Sequence, residues 1–457
     1  VQRILTNQYQ PQPKKNHKSM KKLYTPLIFL LLLTGKAYTQ WTGAGNGMDS
    51  YVWGSAVYNG KLFACGNFEH ADGNTCLGIA QWDGTSWSDV GGGFQTNAFV
   101  HVVRGLIVFN NELIAGGYVD SAGGVAVNRV ARWNGTSWSP MGTNMPISTI
   151  NCFTIHNGEL YAGGNSGSSP NYHSVAKWDG SGWTAIDAAG QGGDITALAS
   201  YNGNLYAGGN YLTINGQNIM KLAYWDGSAW NDAGGGFTML NNVRSLAVFN
   251  GSLYIGGAFA TAGGVTVNNI AQLNGTTWSA LAGGVNSDVQ SLFSYGNKLF
   301  VGGAFWQVNG NTANRAAYWD GSNWTVLGTD LGSGAKTISV YNNELYYGGE
   351  GAFNNQNYFA RWTGGTFTGI HESATSNSAQ LFPNPVVDVV YVAFNPDFLN
   401  NETRFVLSDI TGKEVLEQNL LESVSRVDCT GLSPGIYLYR ILSGTDLIDV
   451  GKLIVSY

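Results

Sequence analysis

The chain has 457 residues, 64 of them glycine, with 13% aromatic and only 11% charged side chains. That mixture fits many short strands joined by tight turns and excludes a mainly helical protein. A formal net charge of −6 provides no basic face for nucleic acid and no polybasic membrane anchor, so nucleic acid is excluded as a partner.

Residues 1–19 have no apolar pattern and are expected to lie upstream of a native start at Met20. Residues 20–39 read as a signal peptide. Lys21-Lys22 forms a basic start, Leu27 to Leu33 an apolar run too short to span a bilayer, and Ala37-Tyr38-Thr39 precedes a cut at Gln40. No other segment could cross a membrane as a helix, so the mature chain is expected to have no transmembrane anchor.

From residue 40 a pattern recurs. Its clearest copy is Ala223-Tyr224-Trp225-Asp226-Gly227-Ser228-Ala229-Trp230. Further copies lie around Trp82, Trp133, Trp178 and Trp319, with blurred ones at Leu273-Asn274-Gly275 and Trp362-Thr363-Gly364, spaced 43 to 51 residues apart. Asp-Gly between strand-like runs predicts a type I′ hairpin, which needs positive φ at both central residues. A second landmark precedes each octet, as in Tyr58-Asn59-Gly60 and Phe249-Asn250-Gly251, and also predicts a tight hairpin. A glycine pair follows it in most copies, from Gly116-Gly117 to Gly348-Gly349, with Cys65-Gly66 in the first. These glycines are expected to serve close backbone approach and positive φ.

One repeat parses into four strands: Val243 to Phe249, Ser252 to Ile255, Asn269 to Leu273, and one starting at Thr277-Trp278. Seven such units at this period predict an all-β fold over residues 40–370, a seven-bladed β-propeller. The tryptophans are large faces to bury between units. Gln40-Trp41-Thr42 reads as an extra outer strand that could pair with the last unit, whose own Thr366-Phe367-Thr368 is weak. The repeats resemble kelch and galactose-oxidase-like propellers. More closely, they resemble a class of bacterial and fungal surface propellers, best matched by Leu253-Tyr254-Ile255-Gly256-Gly257-Ala258-Phe259 through Trp278. The resemblance implies fold more than function, because propellers host unrelated activities.

Residues 371–380 are a Ser, Thr and Asn linker, and 381–457 read as a small β-module, an immunoglobulin-like sandwich. Pro383-Asn384-Pro385 opens it. Asp409, Gly412 and Lys413 form a turn motif, Leu432, Gly435, Ile436 and Tyr437 a second motif, and Lys452 lies in the last strand. These residues resemble the type A C-terminal sorting domain of the type IX secretion system. That resemblance implies export through the periplasm of a Gram-negative cell, recognition by the translocon, and removal by a sortase with attachment or release.

Cys65 and Cys76 flank one loop of the first repeat and are candidates for a disulfide after export; the alternative is two buried thiols. The histidines share no metal-ligand spacing, and no metal or other cofactor is expected. Nor is there a catalytic serine elbow or a calcium loop.

Geometry directs the search for a site. The tight turns share one face of the disc, and the long connections share the other, where binding residues concentrate. Six residues before each Asn-Gly landmark stand Trp53, Arg104, Asn151, Thr196, Arg244, Gln290 and Lys336. As a ring at the channel mouth they could bind an anionic or sugar ligand, or simply line a solvated channel. Trp306, in a long loop, could stack on sugar or cap a unit. Glu69, Asp120, Asp194, Asp288 and Glu350 are candidate acids on this face. The reading is a non-enzymatic propeller that binds glycan or a surface protein. The alternative is a carbohydrate-active enzyme, a glycosidase or lyase, using two of these carboxylates. A spacer or adhesion scaffold is the remaining reading.

Overall fold

The computed structural model describes residues 40–96, 102–167, 171–189, 193–211, 213–237, 242–328, 331–332, 334–351, 357–367, 379–382, 386–394, 402–409, 411–422, 424–444 and 446–455. The expected signal peptide, most of the linker, and Pro383, Asn384 and Pro385 lie outside them. The described residues form strands and turns, and none forms a helix long and apolar enough to cross a membrane.

The repeat becomes a four-stranded antiparallel meander. In the first unit Val52–Tyr58, Lys61–Gly66, Ile79–Trp82 and Trp87–Asp89 pair in sequence order. The same order recurs from Val102, Thr149, Gly193, Asn242 and Val289. The last unit begins at Ala335–Tyr341 and takes its outer strand from the other end of the described chain. Trp41–Gly43 pairs with Phe359–Trp362, Trp41 opposite Trp362. The first strands lie side by side in order, and Ala335–Tyr341 lies against Val52–Tyr58. There Ser55 Oγ sits 2.8 Å from Thr337 Oγ1 and 2.6 Å from Ser339 Oγ. The ring of units is therefore closed, as a β-propeller requires.

The core lies between units because each sheet has two apolar faces. Phe63, Cys65 and Ile79 of the first unit pack on Val103, Leu113 and Trp133 of the second. Leu62, Ala64 and Cys76 of the same unit face the other way, onto Tyr341, Tyr346 and Phe359 of the last. Period-2 alternation along each strand produces this division. The outer-strand tryptophans also latch neighbours together. Trp87, Trp138, Trp183, Trp230 and Trp324 donate Nε1–H to the carbonyls of Ala44, Val90, Met141, Ile186 and Leu281 in the preceding connection. Trp41 donates to Leu327 O at 2.8 Å, so the closing strand repeats the same latch.

The two tight turns differ, contrary to the expectation of type I′ at both. At Asn59-Gly60 both φ values are positive, +46° and +67°, as type I′ demands. At Asp83-Gly84 only the glycine is left-handed, at +103°. Four residues connect the paired Trp82 and Trp87 there, and the aspartate caps them. Asp83 Oδ1 accepts the N–H of Thr85 at 2.7 Å and of Ser86 at 2.9 Å. These bonds favour the carboxylate and lower the Asp83 pKa to about 2. Asp179, Asp226 and Asp320 repeat the device.

The second-strand glycine pairs do not have positive φ, which corrects half of their expected role. They serve close approach. A Cβ on Gly209 would collide with Asp194 O, and one on Gly257 with Asn242 O. The first glycine of each pair meets the next unit: Gly208 meets Val243, Gly256 meets Val289, and Gly348 meets Val52.

The C-terminal residues form two antiparallel sheets over one core. Ala379–Phe382, Val389–Phe394 and Val424–Asp428 make one. Glu414–Asn419, Thr403–Ser408, Gly435–Ser443 and Asp446–Val455 make the other. Val390 and Val427 of the first pack with Phe405, Ile441 and Leu453 of the second.

Candidate functional site: the mouth of the channel

Each first strand contains one β-bulge, and the register breaks fall between Val52 and Gly54, Val103 and Gly105, Ile150 and Cys152, Ile195 and Ala197, Val243 and Ser245, Val289 and Ser291, and Ala335 and Thr337. The residues left over are Trp53, Arg104, Asn151, Thr196, Arg244, Gln290 and Lys336. A bulge adds one unpaired residue and re-aims its side chain. It also presses the strand onto its partner, which is why the second glycine opposite has no room for a Cβ. All seven side chains are half-buried.

Neighbouring bulge residues touch. Arg104 lies over the Trp53 indole at 5.4 Å from its centroid, and Lys336 Nζ over the same ring at 5.2 Å. Trp53 Nε1 donates to Asn67 Oδ1 at 2.5 Å. Arg104 donates to Asn151 Oδ1 at 2.8 Å, and Asn151 Nδ2 to Ile195 O at 3.0 Å. Thr196 Oγ1 donates to Val243 O at 2.7 Å. Arg244 pairs with Asp288 at 2.6 Å, and Lys336 with Glu350 at 2.9 Å. The three cations are thus partnered rather than left as a bare positive ring. Burial pushes the Arg104 pKa down, with Asp194 opposing. Burial likewise raises the Asp288 carboxyl against the pull of Arg244 and Lys336.

Apart from Arg244 Nε, which lies in its ion pair with Asp288, four polar atoms in this neighbourhood are buried without a hydrogen-bond partner among the described residues: Arg104 Nε, Asn242 Oδ1, Asp288 Oδ1 and Gln290 Oε1. Asn242 and Asp288 stand two residues before a bulge. Sequence counting from the Asn-Gly turns reached the bulge residues but did not single out Asn242.

The other candidate acids are engaged locally. Asp120 pairs with Arg129 at 2.7 Å, and Asp194 accepts from Asn165. Glu69 takes its place through its backbone, which donates to Asp49. Trp306 does not cap a unit: it is 54% exposed. It opens a small loop hairpin, Gln307–Val308 with Asn311–Thr312, that the sequence reading did not foresee. Related hairpins occur in the first, second and fifth units.

The cysteine pair is a correction. Cys65 and Cys76 are free thiols that pack against different units, Cys65 on the second strand toward the second unit and Cys76 in the following loop toward the last. Burial raises both thiols, Cys76 to about 11, so neither is a reactive thiolate. Among the described residues no cluster of His, Cys, Asp or Glu could hold a metal.

In the C-terminal module Asp409 Oδ1 accepts the N–H of Thr411 at 2.8 Å and of Lys413 at 3.1 Å, and Gly412 is left-handed at +87°. The Asp-x-x-Gly-Lys motif is therefore a hairpin cap of the kind seen at Asp83. Gly435 and Ile436 open a strand and are exposed, while Tyr437 is buried and donates its hydroxyl to Ser433 O at 2.8 Å. Lys452 sits opposite Leu438 on the last strand.

Comparison with known proteins agrees with this division. Residues 380–456 match the secretion system C-terminal sorting domain, and residues 250–276 match a β-propeller domain of unknown function. Among curated proteins none matches the chain. Among solved structures it is similar to PorZ, a surface component of the type IX secretion system of Porphyromonas gingivalis, at 14% identity and a TM-score of 0.47. That alignment covers 90% of this chain and 60% of the other. It is also similar to the extracellular domain of a protein assigned as a hybrid two-component system of B. thetaiotaomicron, at 11% identity and a TM-score of 0.48, covering 91% and 57%. This chain therefore spans less than two thirds of either. The sorting domain and the propeller topology together make this a secreted or cell-surface β-propeller protein with a type IX secretion C-terminal sorting domain.

Proposed function

We propose that the chain is an exported seven-bladed propeller of the kelch and galactose-oxidase-like type that acts as a non-enzymatic binding module for a glycan or a surface protein. One observation supports this above the rest. The repeat is near-uniform at its turns, latches and glycines, yet the seven bulge positions hold six different residue types. A lining that only had to be wet could repeat one polar residue. A mouth that differs around the ring suits an asymmetric ligand. The four unpartnered buried polar atoms there point the same way.

The C-terminal module, immunoglobulin-like in this reading, directs the chain to the type IX translocon and is cut off by a sortase when the propeller is attached or released. Two experiments test these parts. The full chain is screened against glycans, polysaccharides and surface proteins, alone and as Arg104→Ala and Lys336→Ala. Binding that both substitutions weaken is expected; release of reducing ends from a polysaccharide at an enzymatic rate would overturn the non-enzymatic reading. Separately, a chain lacking 381–457 is expected to fold and accumulate in the periplasm, and its normal surface display would overturn the sorting role.

A further inference from the structure

We infer that the loop face holds a second site, a neutral-saccharide subsite between the fifth and sixth units, with Trp306 as its stacking platform. This rests on the reading of the loop face as the binding face. A cleft of about 270 Å³ opens there. Its walls include Asn268, Asn286, Gln307 and Asn309, and among the described residues no charged one lines it. Trp306 directly precedes Gln307, and Asn286 Oδ1 accepts the backbone N–H of both, at 3.0 and 2.9 Å. The backbone of the exposed Trp306 is thereby fixed beside the cleft.

The fold does not need these residues. The positions equivalent to Trp306 in the first, second and fifth units hold Glu69, Asp120 and Ala260. The position equivalent to Asn309 in the first unit holds Asp72, whose carboxylate is used up internally, accepting from Asn46 N at 2.6 Å and Trp87 N at 2.8 Å. The Asn309 amide makes no such bond among the described residues. Gln307 Oε1 accepts from Asn286 Nδ2 at 3.3 Å, which leaves its own amide donors free, and Asn268 uses only its donor, toward Gly283 O.

Those unused groups define the ligand. An amide offers both a donor and an acceptor, which matches vicinal hydroxyls, whereas a carboxylate only accepts. A large exposed aromatic face suits the C–H face of a sugar ring. Without a cation in the walls, an anionic polysaccharide would have no counter-charge.

The test is native-gel electrophoresis of the full chain through gels holding starch, a β-1,3-glucan, a mannan, a xylan or pectate. Four proteins are compared: wild type, Trp306→Ala, Asn309→Asp and Arg104→Ala. Ala260 and Asp72 show that the repeat tolerates the first two changes, and an unchanged melting temperature checks it. Retardation by at least one neutral polysaccharide is expected, weakened about tenfold or more by Trp306→Ala, reduced by Asn309→Asp, and kept by Arg104→Ala. No retardation by any neutral polysaccharide, or retardation that Trp306→Ala retains, would overturn the subsite. Retardation by pectate alone, abolished by Arg104→Ala and with no neutral polysaccharide retarding the chain, would overturn it too while leaving the channel-mouth reading intact.

Discussion

The two ends of each first strand follow opposite rules. At the turn end, Asn-Gly hairpins and Asp-capped loops repeat with little change, because local backbone chemistry decides them. At the bulge end, seven different contexts share one backbone device but not one side chain. Uniformity marks where the chain only has to turn, and at the bulges the backbone device repeats while the side chain does not. The closing strand adds a contrast of its own, since Trp41 and Trp306 are both tryptophans near loops and only one holds the ring together.

That contrast yields the largest expected effect. Trp41 is fully buried and latches the last unit through Leu327 O. Trp41→Ala should lower stability by about 3–5 kcal/mol in denaturant unfolding, whereas Trp306→Ala should change it by less than about 0.5 kcal/mol. Equal losses would remove the distinction between latch and platform.

Next come the glycines. Gly209→Ala places a Cβ against Asp194 O on a bulged backbone and should cost about 3 kcal/mol. Gly203→Ala has open space and only a left-handed φ of +74°, so about 1–2 kcal/mol is expected. The reverse order would mean that the bulge does not dictate the glycine pair.

The smallest effects belong to the octet aspartates. Asp83 titrates at about 2 in the folded chain, below the ordinary 3.8, and Asp179, Asp226 and Asp320 are also lowered. A lowered folded value means that the contribution is complete above the unfolded pKa and is lost as pH falls from about 4 toward 2. Asp226→Asn should lower the melting temperature slightly at pH 7 and leave a smaller drop between pH 4 and 2. A drop equal to that of the wild type would show that the cap is not ionic.

Much of the propeller was legible because its signals are local. Trp-Asp-Gly-x-x-Trp and Asn-Gly announce hairpins without reference to the rest of the chain, and their spacing counts the units. The Asn-Gly landmark even led by counting to the seven bulge residues, since the distance from turn to bulge is set within one strand. The bulge itself was not legible: nothing in Val243-Arg244-Ser245 differs from an ordinary strand start. The engagement of Arg244 by Asp288 was hidden for the same reason, because 44 residues separate partners that adjacent units bring to 2.6 Å. That Cys65 and Cys76 face different units was not legible, because strand register directs Cys65 and loop packing directs Cys76.

By itself the sequence determined an all-β repeat, its period, which face of the disc bears the long connections, and the sorting domain at the end. These follow from turn residues, alternation and motifs, all read within a few residues. Only the tertiary structure decided that Trp41–Gly43 closes the ring, that the mouth cations are paired, and that Trp306 stands exposed beside an amide-lined cleft. Each depends on side chains from different units meeting, and no local rule can state which unit faces which.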